Sequence, residues 1–399
     1  MAAVNGKKRR CEAAGLAELH EDMLERMLAR LPPASFFRLR GVSRRWRAVA
    51  ESNTFRAACA RVPARDPWFL MLSDSEQPKE EQKPARPAVV FDSAERAWAR
   101  WRGAPGPVPV AAAGGLVLYR DHVTGELTVT NPLTGASRAL PPPCAAGTLH
   151  AIAMYGSPYR VVLILGELPD LSMVSFDSSS NAWEGAVQLS RKLEEASSRE
   201  RAAEDDGGND TVYFLSKSGD VVATNMQRSA SRQYSSAVAC RGGEAVVYFL
   251  SHSGTVVACD LARRAFAELP RILPVYHEYS IDVVACDGAA YVVVLSEFLD
   301  TASLRVWEFA DGAWRQVAAM PPSMSHAFYG KKADVNCVGH GGRVMVCVSS
   351  GEANNANGCF MCDVKSNRWE ELPRCSNGDG ETTDFVAAVS FEPRMEVAV

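Results

Sequence analysis

Seven histidines and eleven cysteines are the residues best suited to catalysis or metal binding in this chain. The histidines (His20, His122, His150, His252, His277, His326 and His340) form no HxH or HExxH spacing, the patterns that aim two imidazoles at one zinc ion. Cys359 and Cys362 make a lone CxxC. They lie in an apolar run that reads as a strand, where an i,i+3 pair points to opposite faces and holds a metal poorly. No GxSxG elbow, phosphate-cradling P-loop or GxGxxG occurs. The expectation is therefore no catalytic residue, no cofactor and no metal. Recognition chemistry remains. Residues 271–280, RILPVYHEYS, carry Tyr276, His277 and Tyr279, and residues 321–334 carry His326, Phe328, Tyr329 and Lys331. Aromatic and imidazole groups beside charge suit the energetic centre of a protein interface. The same side chains serve equally well to pack neighbouring elements. Lys217 and His252 occupy matching positions in a duplicated segment, where they could flank one pocket.

That segment leads to the elements that must position these groups. VYFLSKSGDVVATNM (212–226) and VYFLSHSGTVVACDL (247–261) align without a gap at a shift of 35 residues. Each is a strand, a Ser/Gly turn and a strand, hence a hairpin. A wider pattern recurs around it: Asp92 and Trp98, Asp177 and Trp183, Asp260 and Phe266, Glu308 and Trp314, and Asp363 and Trp369 are each six apart, with Asn131 and Arg138 a looser version. Leu-Pro or Met-Pro follows several of these pairs, and glycine pairs precede the first hairpin strand at 114–115, 242–243 and 341–342. Asp, Asn and Gly supply turn geometry, and the aromatic is expected to pack on the next sheet. Anchors near 92, 131, 177, 225, 260, 308 and 363 give seven units, or six if one is merged, although the unit near Asn225 lacks its tryptophan. The apolar run 384–391 is a strand without a unit and is expected to complete the first sheet, which begins at WFLML (68–72), removing exposed edges. Two charged stretches, 73–87 and 190–208, interrupt the period and read as solvated insertions.

The first sixty residues follow another rule. Residues 1–15 are small and polar and are expected to be disordered. Met23, Leu24, Met27, Leu28 and Leu31 then recur at three- and four-residue steps, the stripe of an amphipathic helix that Pro32 and Pro33 stop. Ser35 is placed to cap a second short helix, and Val42, Trp46 and Val49 mark a third among arginines read as a solvated face. So small a module carries more apolar stripe than its core needs, and part should dock on a partner. The whole chain, 399 residues with 47% hydrophobic and 23% charged, is of globular composition and long enough for two to three domains at about 150 residues each. Its net charge of −4 gives no global case for nucleic acid, and no apolar run suggests a signal peptide or membrane span. The expectation is a soluble intracellular protein with reduced thiols, and KKRR at 7–10 fits nuclear as well as cytoplasmic residence.

Both regions carry resemblances. Leu19 to Phe55 resembles an F-box, matching at Leu19, Asp22, Leu24, Leu28, Leu31, Pro32, Leu39, Arg40, Val42, Ser43, Arg44, Trp46 and Phe55 and departing at His20, where that family usually has proline. The repeats resemble the kelch type, the blade of a β-propeller, and the pairing is similar to the plant F-box/kelch family. The resemblance implies an α+β multidomain chain: a disordered tail (1–15), a three-helix F-box (16–60), and an all-β kelch-like propeller (66–399) of seven blades closed by strand 384–391. It implies a substrate-recognition subunit of an SCF cullin–RING ubiquitin ligase. Leu19, Met23, Leu24, Met27, Leu28, Leu31, Pro32, Phe36 and Leu39 would dock the Skp-type adaptor, although Leu28 and Trp46 also suit the module core. The propeller would hold a target protein, with Lys217, His252, Tyr276, His277, Tyr279, His326, Phe328 and Tyr329 as contact candidates. A non-degradative scaffold, or a propeller binding a small molecule, are the alternatives.

Overall fold

In the computed structural model the described residues are 20–41, 43–73, 88–101, 107–145, 147–192, 213–215, 221–223, 234, 236–241, 243–251, 254–272, 279–331, 333–350, 358–375 and 385–399. The tail 1–15, Leu19, most of the two charged insertions, Lys217, His252, Tyr276 and His277 lie outside them.

The amphipathic stripe becomes α1 (Glu21–Ala29), with Glu21 and Asp22 in its first turn where carboxylates favour the helix dipole. Pro32 and Pro33 end that stretch and begin α2 (Pro33–Arg40), with Pro33 at the first helical position, where a missing N–H costs nothing. Ser35 therefore lies inside α2 and does not cap it. α3 (Arg44–Glu51) and α4 (Asn53–Ala60) follow. The module has four helices, not three; the fourth starts where Ser52 accepts the Phe55 amide. Leu24, Leu28, Phe36, Val49, Phe55 and Cys59 form its core, with Phe36 and Phe55 stacked at 5.1 Å.

The rest of the described residues form six blades, each built on four antiparallel strands, with a fifth short strand added to two of them. Blade 1 runs from Phe385–Phe391 through Trp68–Ser73 and Ala88–Asp92 to Ala97–Trp101. Blade 2 spans Val108–Ala113 to Ser137–Ala139, blade 3 Leu149–Tyr155 to Ala182–Trp183, and blade 4 Ala237–Arg241 to Ala265–Glu268. Blade 5 spans Tyr279–Cys286 to Ala313–Ala319, and blade 6 Ala333–His340 to Arg368–Glu371. The innermost strands contact one another around the ring, and Phe385–Phe391 lies beside the first strands of blades 6 and 2. That C-terminal strand pairs antiparallel with Trp68–Ser73, so the two ends of the propeller share one sheet.

The count is six, not seven. Among the described residues the unit near Asn225 contributes the two-stranded pair Tyr213–Leu215 and Val221–Ala223. Blades 3 and 4 meet directly: the Ile152 amide donates to the Tyr234 carbonyl, and Ser236 Oγ donates to the Ile152 carbonyl. Among the described residues no further four-stranded blade lies between them. Val187–Arg191 instead runs along the outside, pairing first with blade 3 and then in parallel with the last strand of blade 4.

The aspartate–aromatic spacing has a physical basis. Asp92, Asp177, Asp260 and Asp363 accept backbone N–H groups two or three residues on, turning the third strand into the fourth. Those N–H groups, led by Ser179 and Ser366, hold the carboxyls of Asp177 and Asp363 below their ordinary range. Three of the tryptophans then reach back to the preceding blade, not on to the next, whereas Trp369 donates to Asn367 Oδ1 in its own turn. The indole N–H of Trp98 donates to Pro373 O at 2.7 Å, Trp183 to Pro141 O at 2.6 Å, and Trp314 to Pro270 O at 2.6 Å. The Leu-Pro ends and the tryptophans are the two halves of one inter-blade bond.

Candidate docking surfaces

Core and surface alternate within α1. Leu24 and Leu28 are buried, at 1% and 3% exposure, whereas Met23 and Met27 are exposed at 55% and 46%. Phe36 is buried as well, and Leu31 and Phe37 pack on the same core; Pro32 and Leu39 are half-buried. Of the adaptor candidates, Leu24, Leu28 and Phe36 hold the module together, and Met23 and Met27 are the ones α1 leaves exposed. Buried Glu25 fixes the turn between α3 and α4, accepting from Ser52 Oγ at 2.9 Å and Thr54 Oγ1 at 2.6 Å. Arg65 caps α1, donating to the Ala29 and Leu31 carbonyls.

The module is bonded to one face of the propeller. In a four-stranded blade the first-to-second and third-to-fourth turns share a face, and the second-to-third turns share the other with the inter-blade links. Ser35 Oγ donates to Glu95 Oε1 at 2.7 Å, and Arg38 pairs with the same carboxylate; Glu95 lies in the third-to-fourth turn of blade 1. The C-terminal segment completes the joint. Arg394 donates to the Val62 and Pro63 carbonyls at 3.1 and 3.0 Å while pairing with Glu392 and Glu396. Asn131 Nδ2 in turn donates to the Arg394 and Val397 carbonyls. Met395 packs on the helical core and Val397 on blades 2 and 3. Gly115, at φ +89°, gives Arg394 room; a Cβ there would lie 2.9 Å from the Arg394 Cβ.

The propeller candidates among the described residues belong to the opposite face. His326 and Tyr329 lie on the link from blade 5 to blade 6, after α5 (Pro322–Ser325), exposed and with parallel rings 5.9 Å apart. The Tyr329 hydroxyl donates to Asp300 Oδ1 at 2.7 Å, which raises the phenol pKa above its ordinary value. Phe328 is a correction: it is buried at 3%, edge-on to Phe360, and anchors the link instead of lining a surface. Tyr279 begins the first strand of blade 5, and its side chain is outside the described residues. Sequence reasoning missed Phe298 and Leu299, exposed at 57% and 76% in the adjoining hairpin turn. A leucine where a tight turn calls for Asn or Gly was the available signal.

For chemistry, Cys359 faces Cys347 at 3.5 Å on one side of blade 6, and Cys362 is buried in the cluster on the other. Among the described residues no group of three or more His, Cys, Asp or Glu is arranged to hold a metal ion. Burial pushes the thiols of Cys259, Cys286 and Cys362 up to about 12, far from nucleophilic. Cys240, in the first strand of blade 4, is exposed. No described helix is long and apolar enough to cross a membrane.

Comparison with known proteins matches an F-box domain over residues 16–57 and a KIB1-4 beta-propeller over residues 91–337, in place of the kelch type. F-box only protein 13 of Arabidopsis thaliana is 40% identical over 96% of this chain and 85% of its own length. F-box only protein 6 of the same plant is 22% identical over 94% and 73%. A third Arabidopsis relative, an F-box/kelch-repeat protein, is 28% identical over 31% of this chain and 29% of its own. Four helices joined to a six-bladed ring, with these matches along nearly the whole length, establish that the chain belongs to the F-box proteins with a KIB1-4 β-propeller, homologous to the plant F-box only proteins.

Proposed function

We propose that this chain is a substrate receptor of an SCF-type cullin–RING ubiquitin ligase: α1 docks the Skp-type adaptor, and the loop face of the propeller holds a protein to be ubiquitylated. One observation carries the reading. The large hydrophobic side chains left exposed among the described residues are Met23, Met27, Val123, Phe298, Leu299 and Tyr329. The first two lie on α1. The other four lie on second-to-third turns or an inter-blade link, all on the face opposite the helical module. Two apolar surfaces at opposite ends of a bonded body suit a bridge between two proteins.

The mechanism is proximity. With Arg394, Glu95 and Asn131 fixing the joint, a target on the loop face stays at a set position relative to the ligase. Holding target lysines near the charged E2 enzyme raises their effective concentration without a catalytic residue on this chain. The test is depletion and complementation in cells. The target should accumulate on depletion and fall again with the wild-type chain, but not with Met23→Glu/Met27→Glu. Equal rescue by that variant would contradict the reading.

A further inference from the structure

The blade 5 hairpin joins the second and third strands of that blade. Its strands, Ala289–Phe298 and Thr301–Ala310, are ten residues each, the longest among the described strands. Phe298 pairs with Thr301, leaving Leu299 and Asp300 as a two-residue turn with φ +46° and +59°. Both angles are left-handed, a region that Asn and Gly adopt readily and leucine does not. The strained residue is also among the most exposed, so neither burial nor backbone preference accounts for a leucine there. The turn is nonetheless held firmly. Thr301 Oγ1 donates to the Phe298 carbonyl, Tyr329 to Asp300, and the Gly330 amide to Glu297 Oε1 at 3.1 Å, while Phe328 roots the neighbouring link in the core.

We propose that Phe298, Leu299 and Tyr329 form the contact patch of the substrate-holding face, and that its partner is a peptide segment with large apolar side chains flanked by lysine or arginine. This rests on the receptor reading and names its substrate chemistry. The carboxylates of Glu297 and Asp300 border the apolar tip, with Lys331 half-buried behind Tyr329. An acidic border beside an apolar tip complements a basic, apolar segment and repels an acidic one. It also disfavours an anionic lipid surface.

The test uses the purified full-length chain and fluorescent peptides of one design: a central Leu-Phe or Ile-Leu pair flanked by Lys/Arg, by Asp/Glu, or by Ser/Gly. The basic-flanked set should bind best, and more weakly as salt rises. Leu299→Asn should cut that affinity about tenfold or more, the loss of one interface hot spot. It should leave the melting temperature unchanged or higher, because asparagine suits the turn. Glu297→Gln with Asp300→Asn should remove the preference for basic flanks while keeping the hydrogen-bond acceptors. No preference among the peptides, full binding by Leu299→Asn, or association only with anionic vesicles would overturn the proposal. Adaptor capture through α1 is measured separately, so a failure here is distinguishable from a failure of the receptor reading.

Discussion

The helical module and the propeller separate core from contact surface in different ways. On α1 the two functions share neighbouring residues: Leu24 and Leu28 are buried, and Met23 and Met27, one position earlier, are exposed. A four-helix module of some forty residues has one small core and no room to place them apart. In the propeller they are segregated. Strands such as Val161–Leu165 and Val344–Val348 are buried almost throughout, and the exposed apolar groups sit at turns and links. In α1 a shift of one residue therefore separates the buried positions from the exposed ones, whereas in the propeller the position along the blade decides.

The largest expected effect breaks the module from inside. Leu24→Asp with Leu28→Asp buries two charges in the helical core and should unfold the module, since each costs about 3 kcal/mol or more. Limited proteolysis of the full chain should then cut within residues 20–60 while the six blades stay protected. Next comes ring closure. Phe391, 1% exposed and edge-on to both Trp68 and Trp101, ties the C-terminal strand into blade 1. Phe391→Ala should cost about 3–5 kcal/mol and lower the melting temperature of the propeller without altering adaptor binding.

The inter-blade bonds are smaller. Trp183→Phe keeps the ring against Phe176 but loses the bond to Pro141, an expected loss of about 1 kcal/mol by denaturant titration. Trp314→Phe, at a more exposed bond, should cost less. The smallest effect concerns the joint. His340, with Nε2 3.8 Å from Glu392 Oε1, and then Arg394 hold the Glu392 carboxyl below its ordinary range. A depressed folded-state pKa contributes stability that is present above the ordinary value of 4.5 and lost as pH falls below it. The melting temperature of the wild type should therefore drop more steeply below that pH than that of Glu392→Gln.

Much of this was legible in the residues. The stripe from Met23 to Leu31 specified α1, and the second and third strands of blade 4 lie where the duplicated hairpin put them. The blade count was harder, because the sequence of 212–226 copies the second and third strands of blade 4, and the described residues there form a two-stranded pair. Local pattern specifies a hairpin; only packing against neighbours makes a blade. The alternation between Met23 and Leu24 was hidden for a related reason, since five apolar residues in nine leave the buried face undetermined until α4 is placed. Phe328 and Tyr329 show the same limit, one residue apart and on opposite sides of the surface.

The central claim is that α1 presents Met23 and Met27 for adaptor docking while Leu24 and Leu28 maintain the fold. Titration calorimetry of the full chain with a Skp-type adaptor, alongside a thermal melt, tests it most directly. Met23→Glu/Met27→Glu should lower affinity by about 100-fold or more, two hot-spot losses combined, with an unchanged melting temperature. Wild-type affinity in that variant, or a loss that appears only with unfolding of the module, would contradict the account.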